Sequence, residues 1–188
     1  MSAPYGNVLH TRGENPDMDS RAYEFEGTTP DIHDSARVSR EATLVGDVWV
    51  GADASVWPGV VLRGDVGPVR VGRESHVGDT AVLHASTLGD RAMVGHGAVL
   101  NDATVEDGAL VGFNVSVNSE VRVGEASIVA SGTTVPEGFD IPAESFVRGV
   151  PAEVTPLAET AIDPATIFDA HASGAYTDLA ARHDDLFE

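Results

Sequence analysis

Between positions 63 and 101 the chain gathers side chains whose types could do chemistry: Arg63, Asp65, His76, Asp79, His84, His96 and Asn101. Imidazole can ligate a metal or carry a proton near neutral pH. A guanidinium two residues from a carboxylate can form a bidentate pair. Cysteine is absent, so thiolate chemistry and disulfides are excluded and the redox compartment is left open. His10, His33, His171 and His183 lie in no motif and are expected to be solvated. Glu74 and Glu106 are near in sequence, but no spacing gives either a role in proton transfer.

What positions these residues is a repeat. Reading every sixth residue from Ile32 gives Val38, Leu44, Val50, Val56 and Leu62, then Val71, Val77, Leu83, then Leu88, Val94, Leu100. A last run goes from Val105 through Val111, Val117, Val123, Val129 and Val135 to Ile141 and Val147. A hexapeptide period marks a β-solenoid. Four residues after each aliphatic stands a small or β-branched side chain, as in Ala42, Val48, Ala54, Ser75, Ala81, Thr87, Ala92 and Thr104. Both positions are expected to point inward. Glycine often comes directly after the aliphatic, as at Gly51, Gly72, Gly78, Gly95, Gly112 and Gly124, which suits corners that need unusual dihedrals. Three hexads make a turn, and turns stack as parallel strands about 4.8 Å apart. The expectation is an all-β solenoid, a parallel β-helix of about seven coils. A β-sandwich would need alternation with hairpin turns instead.

The register changes place the reactive residues. Extra residues after Leu62 predict a loop from Gly64 to Arg70. The steps Leu83 to Leu88 and Leu100 to Val105 are each one residue short, so Leu83 and Leu100 lie one full coil apart. His84 and Asn101 come directly after them and must stack at one corner of neighbouring coils. His96, two residues after Val94, falls at a different corner and should not meet His84 within one chain.

The chain divides into an N-terminal arm (1–22), the β-helix (23–157) and a C-terminal helical tail (158–188) expected to pack on the coil. Tyr23 to Glu26 alternates like a short leading strand. In the tail, Asp163 and Pro164 read as a helix start. Ile167, Phe168, His171, Leu179, Leu186 and Phe187 could line an apolar face, with Gly174 as a break. No apolar run is long enough to span a membrane, and no signal peptide is evident. The formal net charge is −19, from 30 acidic and 11 basic residues, and every basic residue is Arg. Such acidity argues against nucleic acid or an anionic membrane as partner.

The ordered series Val56-Trp57, Val61-Leu62-Arg63-Gly64-Asp65, Val71-Gly72, Asp79 with His84, Gly95-His96-Gly97-Ala98-Val99-Leu100 and Arg148-Gly149-Val150-Pro151-Ala152 resembles the γ-class carbonic anhydrase family. The resemblance runs from about Pro30 to Leu157. It implies a left-handed β-helix, a cytoplasmic homotrimer, and a zinc site (alternatively iron or cobalt) between subunits. The implied activity is reversible hydration of carbon dioxide to bicarbonate. His84 matches the first metal ligand, and His96 the one a neighbouring chain supplies. Asn101 stands where the third histidine is expected. Arg63 and Asp65 match a pair at the subunit contact, and Asp79 is a candidate supporting residue.

The chain departs from that family at the site itself. An amide oxygen is a poor zinc ligand beside imidazole. Losing one ligand imidazole should cost at least about 100-fold in affinity or activity. His76 and Gly78 stand where many relatives carry Asn and Gln, and His76 could replace the lost ligand in a site of His76, His84 and His96. Otherwise it is an outward-facing, exposed strand histidine. The loop after His84 (Ala85-Ser86-Thr87) is short, and Val66 rather than a glutamate comes after Asp65. Two further readings therefore stand beside a weak carbonic anhydrase: a non-catalytic trimeric scaffold, and a hexapeptide acyltransferase using acyl-CoA with His96 or His84 as general base.

Acidity without lysine also predicts adaptation to molar salt, where self-repulsion is screened within about 3 Å. Thermal unfolding measured from low salt into molar KCl should show the midpoint rising steeply. A midpoint unmoved by salt would mark an ordinary acidic protein.

Overall fold

The computed structural model describes residues 21–163 and 178–187. The N-terminal arm before Arg21 lies outside them. So do the expected helix start at Pro164 and the positions Ile167, Phe168, His171 and Gly174.

The described chain winds into a three-sided coil. One sheet of twelve strands wraps two faces, and one of eight forms the third. On the first face Thr43, Val61, Val82, Val99, Ser116 and Thr134 stand in register. On the second the row is Trp49, Arg70, Thr87, Thr104, Arg122 and Asp140. On the third it is Ser55, His76, Met93, Leu110, Ile128 and Phe146. The strands Thr43–Val50 and Val61–Val71 run across the first corner and join two faces into one sheet. Among the described residues all strand-to-strand pairings are parallel except the last, where Ser145–Arg148 meets Glu153–Pro156 antiparallel.

The hexapeptide aliphatics fill the interior. Every one but the half-buried Ile32 is buried, and most have no exposed surface. Each such side chain contributes about 1.5–3 kcal/mol relative to exposure. The smaller inward residue keeps a constant distance to the next aliphatic, not to the previous one. It stands two before that next aliphatic, so in the shortened steps it is Ser86 and Ala103 that are buried. Thr87 and Thr104, expected inside, lie one position later and face outward. The missing residue was removed ahead of the inward pair.

The glycines after the aliphatics also differ from expectation. None of Gly51, Gly72, Gly78, Gly95, Gly112 and Gly124 has a positive φ. They are small because the next coil is close. A Cβ on Gly112 would meet Ser131 N at 2.6 Å. The left-handed corner residues come later in each turn and include Asp53, Glu74, Thr80, Arg91, Gly97 and Asn114.

The extra residues after Leu62 do not form a detached loop. The strand stays extended from Val61 to Val71, pairing at both ends with Thr43–Val50, and only Asp65 to Pro68 bulge outward opposite Asp47. The leading strand is Ala22–Tyr23, paired with Leu44 and Val45. It stops because Phe25 and Thr28 exchange backbone hydrogen bonds of 2.9 and 3.0 Å across Gly27, whose φ is +83°. At the other end, Asp184–Phe187 forms a short helix whose Leu186 carbonyl accepts from Arg40 N–H at 3.3 Å. Phe187 and His183 meet Trp57 of the coil through ring contacts.

Candidate functional site

The corner between the first and second faces carries Arg63, His84 and Asn101 in register on three successive coils. Arg63 donates to Asp65 Oδ2 from Nη2 at 2.6 Å and from Nε at 3.2 Å. Both bonds use one oxygen, so Asp65 Oδ1 remains for His84 Nε2 at 3.2 Å. The Arg63 guanidinium holds the Asp65 carboxyl below its ordinary value, against the opposing effect of burial. His84 Nδ1 lies 3.0 Å from Asn101 Oδ1, and Asn101 Nδ2 donates to Ser119 Oγ at 2.8 Å. With that amide orientation both ring nitrogens of His84 carry protons. Turning the amide over satisfies the same geometry with a neutral ring. In either form both nitrogens are engaged by the protein.

The corner between the third and first faces carries Asp79, His96 and Phe113 on successive coils. His96 Nδ1 lies 2.7 Å from Asp79 Oδ2 and 3.0 Å from the Asp79 amide N. One nitrogen cannot serve both. The Asp79 N–H donates the hydrogen bond, with Nδ1 as its acceptor, and the carboxylate pairs with Nδ1 as an ion pair only when the ring is protonated. Phe113 stacks on the imidazole at a centroid distance of 5.1 Å and 14° between planes. Gly78 makes room for the ring, since a Cβ there would stand 2.9 Å from His96 Nδ1.

His76 faces outward on the third face but is only 2% exposed, so an exposed strand histidine is not what is found. Its Nδ1 is 3.1 Å from Ser55 Oγ, and the edge of Trp57 packs on it at 5.6 Å. Trp57 in turn meets the rings of His183 and Phe187 from the tail at 6.1 and 5.5 Å. His183 is exposed, as expected, yet has this ring contact. Burial pushes the His76 imidazole down to about 3, with His96 adding to the effect. His76 and His96 share the lining of an apolar pocket of about 260 Å³ with Met93, Leu110, Phe113 and Phe146.

Within one chain, then, His76 and His96 come together, His84 and Asn101 come together, and the two pairs occupy different corners. Among the described residues no group of three His, Cys, Asp or Glu could hold a metal. Ser119 and Phe113 were not singled out from the sequence. The coil spacing from Asn101 and from His96 leads to both.

This architecture defines a hexapeptide-repeat, left-handed β-helix protein. No family model matches the chain. It is 35% identical to carnitine operon protein CaiE of a Proteus species, over 70% of this chain and 69% of CaiE. It is 39% identical to a carbonic anhydrase of Geobacillus kaustophilus, over 34% of this chain and 35% of that protein. The chain spans about a third of the length of the curated relatives it matches over such short stretches. A hexapeptide transferase family structure from Anaplasma phagocytophilum superposes with a TM-score of 0.81 at 25% identity, covering 87% of this chain and 98% of that one. The chain belongs to the family of hexapeptide-repeat, left-handed β-helix proteins that includes CaiE.

Buried neutral His76 ties stability to pH. Its ring takes up protons near 6.5 when unfolded and only at about 3 when folded. The unfolded chain therefore binds more protons between those values. Stability is complete above pH 6.5 and falls as pH drops through that window, by at most about 1.4 kcal/mol per unit. Denaturant unfolding between pH 6.5 and 5 should show this slope in the native protein and a flatter one in His76→Gln. Equal slopes would assign the loss to other groups.

Proposed function

We propose that the protein is a homotrimer that assembles a γ-carbonic-anhydrase-like centre between chains. In it, His96 of one chain faces His84 and Asn101 of the next, and carbon dioxide and bicarbonate are the substrates. The observation that carries this reading is the orientation of His96. The Asp79 N–H and carboxylate both sit on its Nδ1, which fixes the ring so that it presents Nε2, and Nε2 meets no hydrogen-bond partner among the described residues. The first face supports the assembly. Its outward row carries valine on three successive coils, at Val61, Val82 and Val99, between Thr43 and Ser116, whereas the second face after Trp49 presents Arg70, Thr87, Thr104, Arg122 and Asp140. Three prisms that bury their first faces around an axis bring each first–second corner against a neighbour's third–first corner. His84 and His96 sit at those two corners.

The donor set fits zinc only in part. His96 fits well, with iron or cobalt as alternatives. Asn101 offers a neutral amide, and His84 must give up Asp65 or Asn101 to ligate. When bound, the ion would supply Lewis-acid chemistry that lets water act as a nucleophile at neutral pH. The chain's own contributions are orientation of His96 by Asp79, and of Asp65 by Arg63. The native trimer should hold zinc weakly and hydrate carbon dioxide slowly, and Asn101→His should raise metal retention about 100-fold. Metal content per chain after purification in molar salt, with stopped-flow hydration, checks both. A trimer that stays metal-free even as Asn101→His would leave the non-catalytic scaffold.

One observation favours a second reading. The Asp79–His96 pair at the rim of an apolar pocket also suits a general base, as acyl transfer from acyl-CoA requires. Acetyl-CoA titrated calorimetrically in molar salt should show no saturable binding under the first reading. Binding, with acetyl transfer abolished in His96→Ala, would replace it.

A further inference from the structure

The residues Asp65 to Pro68 interrupt a ladder that is otherwise continuous. The register pairs Gly46 with Gly64 and Val48 with Val69, so Asp47 alone stands opposite the excursion. Both ends of the excursion close on it. At the leaving end, Gly64 lies so near the Asp47 main chain that a Cβ there would collide with the Asp47 carbonyl. At the returning end stands Arg70. Its Nη1 donates to Val69 O at 3.0 Å and to Asp47 O at 3.2 Å, and lies 2.8 Å from Asp47 Oδ1. Its Nη2 donates to Asp47 Oδ2 at 3.1 Å.

The side chains of Arg70 and Asp47 are 36% and 47% exposed, and most exposed ion pairs contribute little. This pair is built differently. One guanidinium meets both oxygens of a carboxylate and also two main-chain carbonyls at the foot of the bulge, so its position is set from several sides. The contacts join the residue opposite the bulge to the strand that comes back from it. They close the base of the excursion.

What the base carries is Asp65. It comes directly after Gly64, and its two oxygens serve Arg63 Nη2 at 2.6 Å and His84 Nε2 at 3.2 Å. Extra residues in one strand re-aim the side chains at the point of insertion. Gly67 steadies the far limb beside Ala85, where a Cβ on it would stand 3.1 Å from Ala85 Cβ. Arg70 steadies the near one.

We propose that Arg70 is a positioning residue: with Asp47 it clamps the foot of the 65–68 bulge and so holds Asp65 on His84. In register Arg70 lies beside Thr87, not His84, and it acts through Asp65. The clamp needs no metal. Its meaning for reactivity rests on the interchain centre proposed above, where Asp65 occupies one nitrogen of His84.

Nitrogen-15 NMR in molar KCl tests it. Arg70→Met removes the donors and keeps an unbranched stem. Its Arg63 Nε–H and His84 ring signals should move to where Asp65→Ala puts them, while the His76 ring signals stay native. Amides between Gly64 and Val69 should exchange with deuterium about tenfold faster, as for loss of hydrogen bonds to a charged group. Asp47→Ala should do the same, and the double variant Asp47→Ala with Arg70→Met should be no worse than either single one. Native Arg63 and His84 signals in Arg70→Met overturn the proposal and leave an ordinary surface pair. Signals that move at His76 as much as at His84 also overturn it, because the effect is then on the whole fold. The expected signals in a chain that stays metal-free even as Asn101→His uphold the clamp and sink the interchain centre.

Discussion

Stacking governs this molecule. Each coil lies on the one before at the spacing of hydrogen-bonded parallel strands, so each residue has a fixed neighbour one turn away. Side chains in line share surroundings whether or not they are close in sequence. The aliphatic column is dry because every member sits on another. The clusters arise in the same way. Arg63, His84 and Asn101 form one line, and Asp79, His96 and Phe113 another. A single residue gained or lost in any turn would shift a whole line, so the two matched short steps after Leu83 and Leu100 keep His84 and Asn101 together.

The two lines differ in what they leave available. In the first, carboxylate, imidazole, amide and hydroxyl are joined end to end from Arg63 to Ser119, and no ring nitrogen of His84 is spare. Asn101 is what makes this closure possible, since its amide can accept and donate at once. In the second, Asp79 occupies Nδ1 of His96 and Phe113 covers a ring face, and Nε2 has no hydrogen bond among the described residues. Both proposed readings therefore rest on His96, while the amide at position 101 occupies His84 Nδ1.

The outward rows explain why the corners differ in setting. After Trp49 the second face is written in Arg, Thr and Asp, groups that water solvates well. The third is written in His, Met, Leu, Ile and Phe, and around Trp57 it is met by Phe187 and His183 of the tail. The first carries half-buried Val61 and Val82 and exposed Val99. The narrow interior holds only the inward pair of each turn, so these outward side chains find no room within it.

Sequence alone determined the period, the coil, the inward aliphatics and the stacking of His84 with Asn101, because these come from counting along a chain of constant rise. It also determined that His96 lies at another corner. Only the tertiary structure decided matters set by distance across coils. His76 faces outward as its position requires, yet it is buried, because Trp57 packs over it from the neighbouring coil and is itself backed by the tail. The glycines after the aliphatics answer to backbone packed one coil away, not to their own dihedrals. Thr87 and Thr104 face out because a deletion can fall on either side of the inward pair, which a period cannot distinguish. That both nitrogens of His84 are occupied, while one of His96 is not, depends on side-chain rotamers. Those are chosen by neighbours in space rather than by neighbours in sequence.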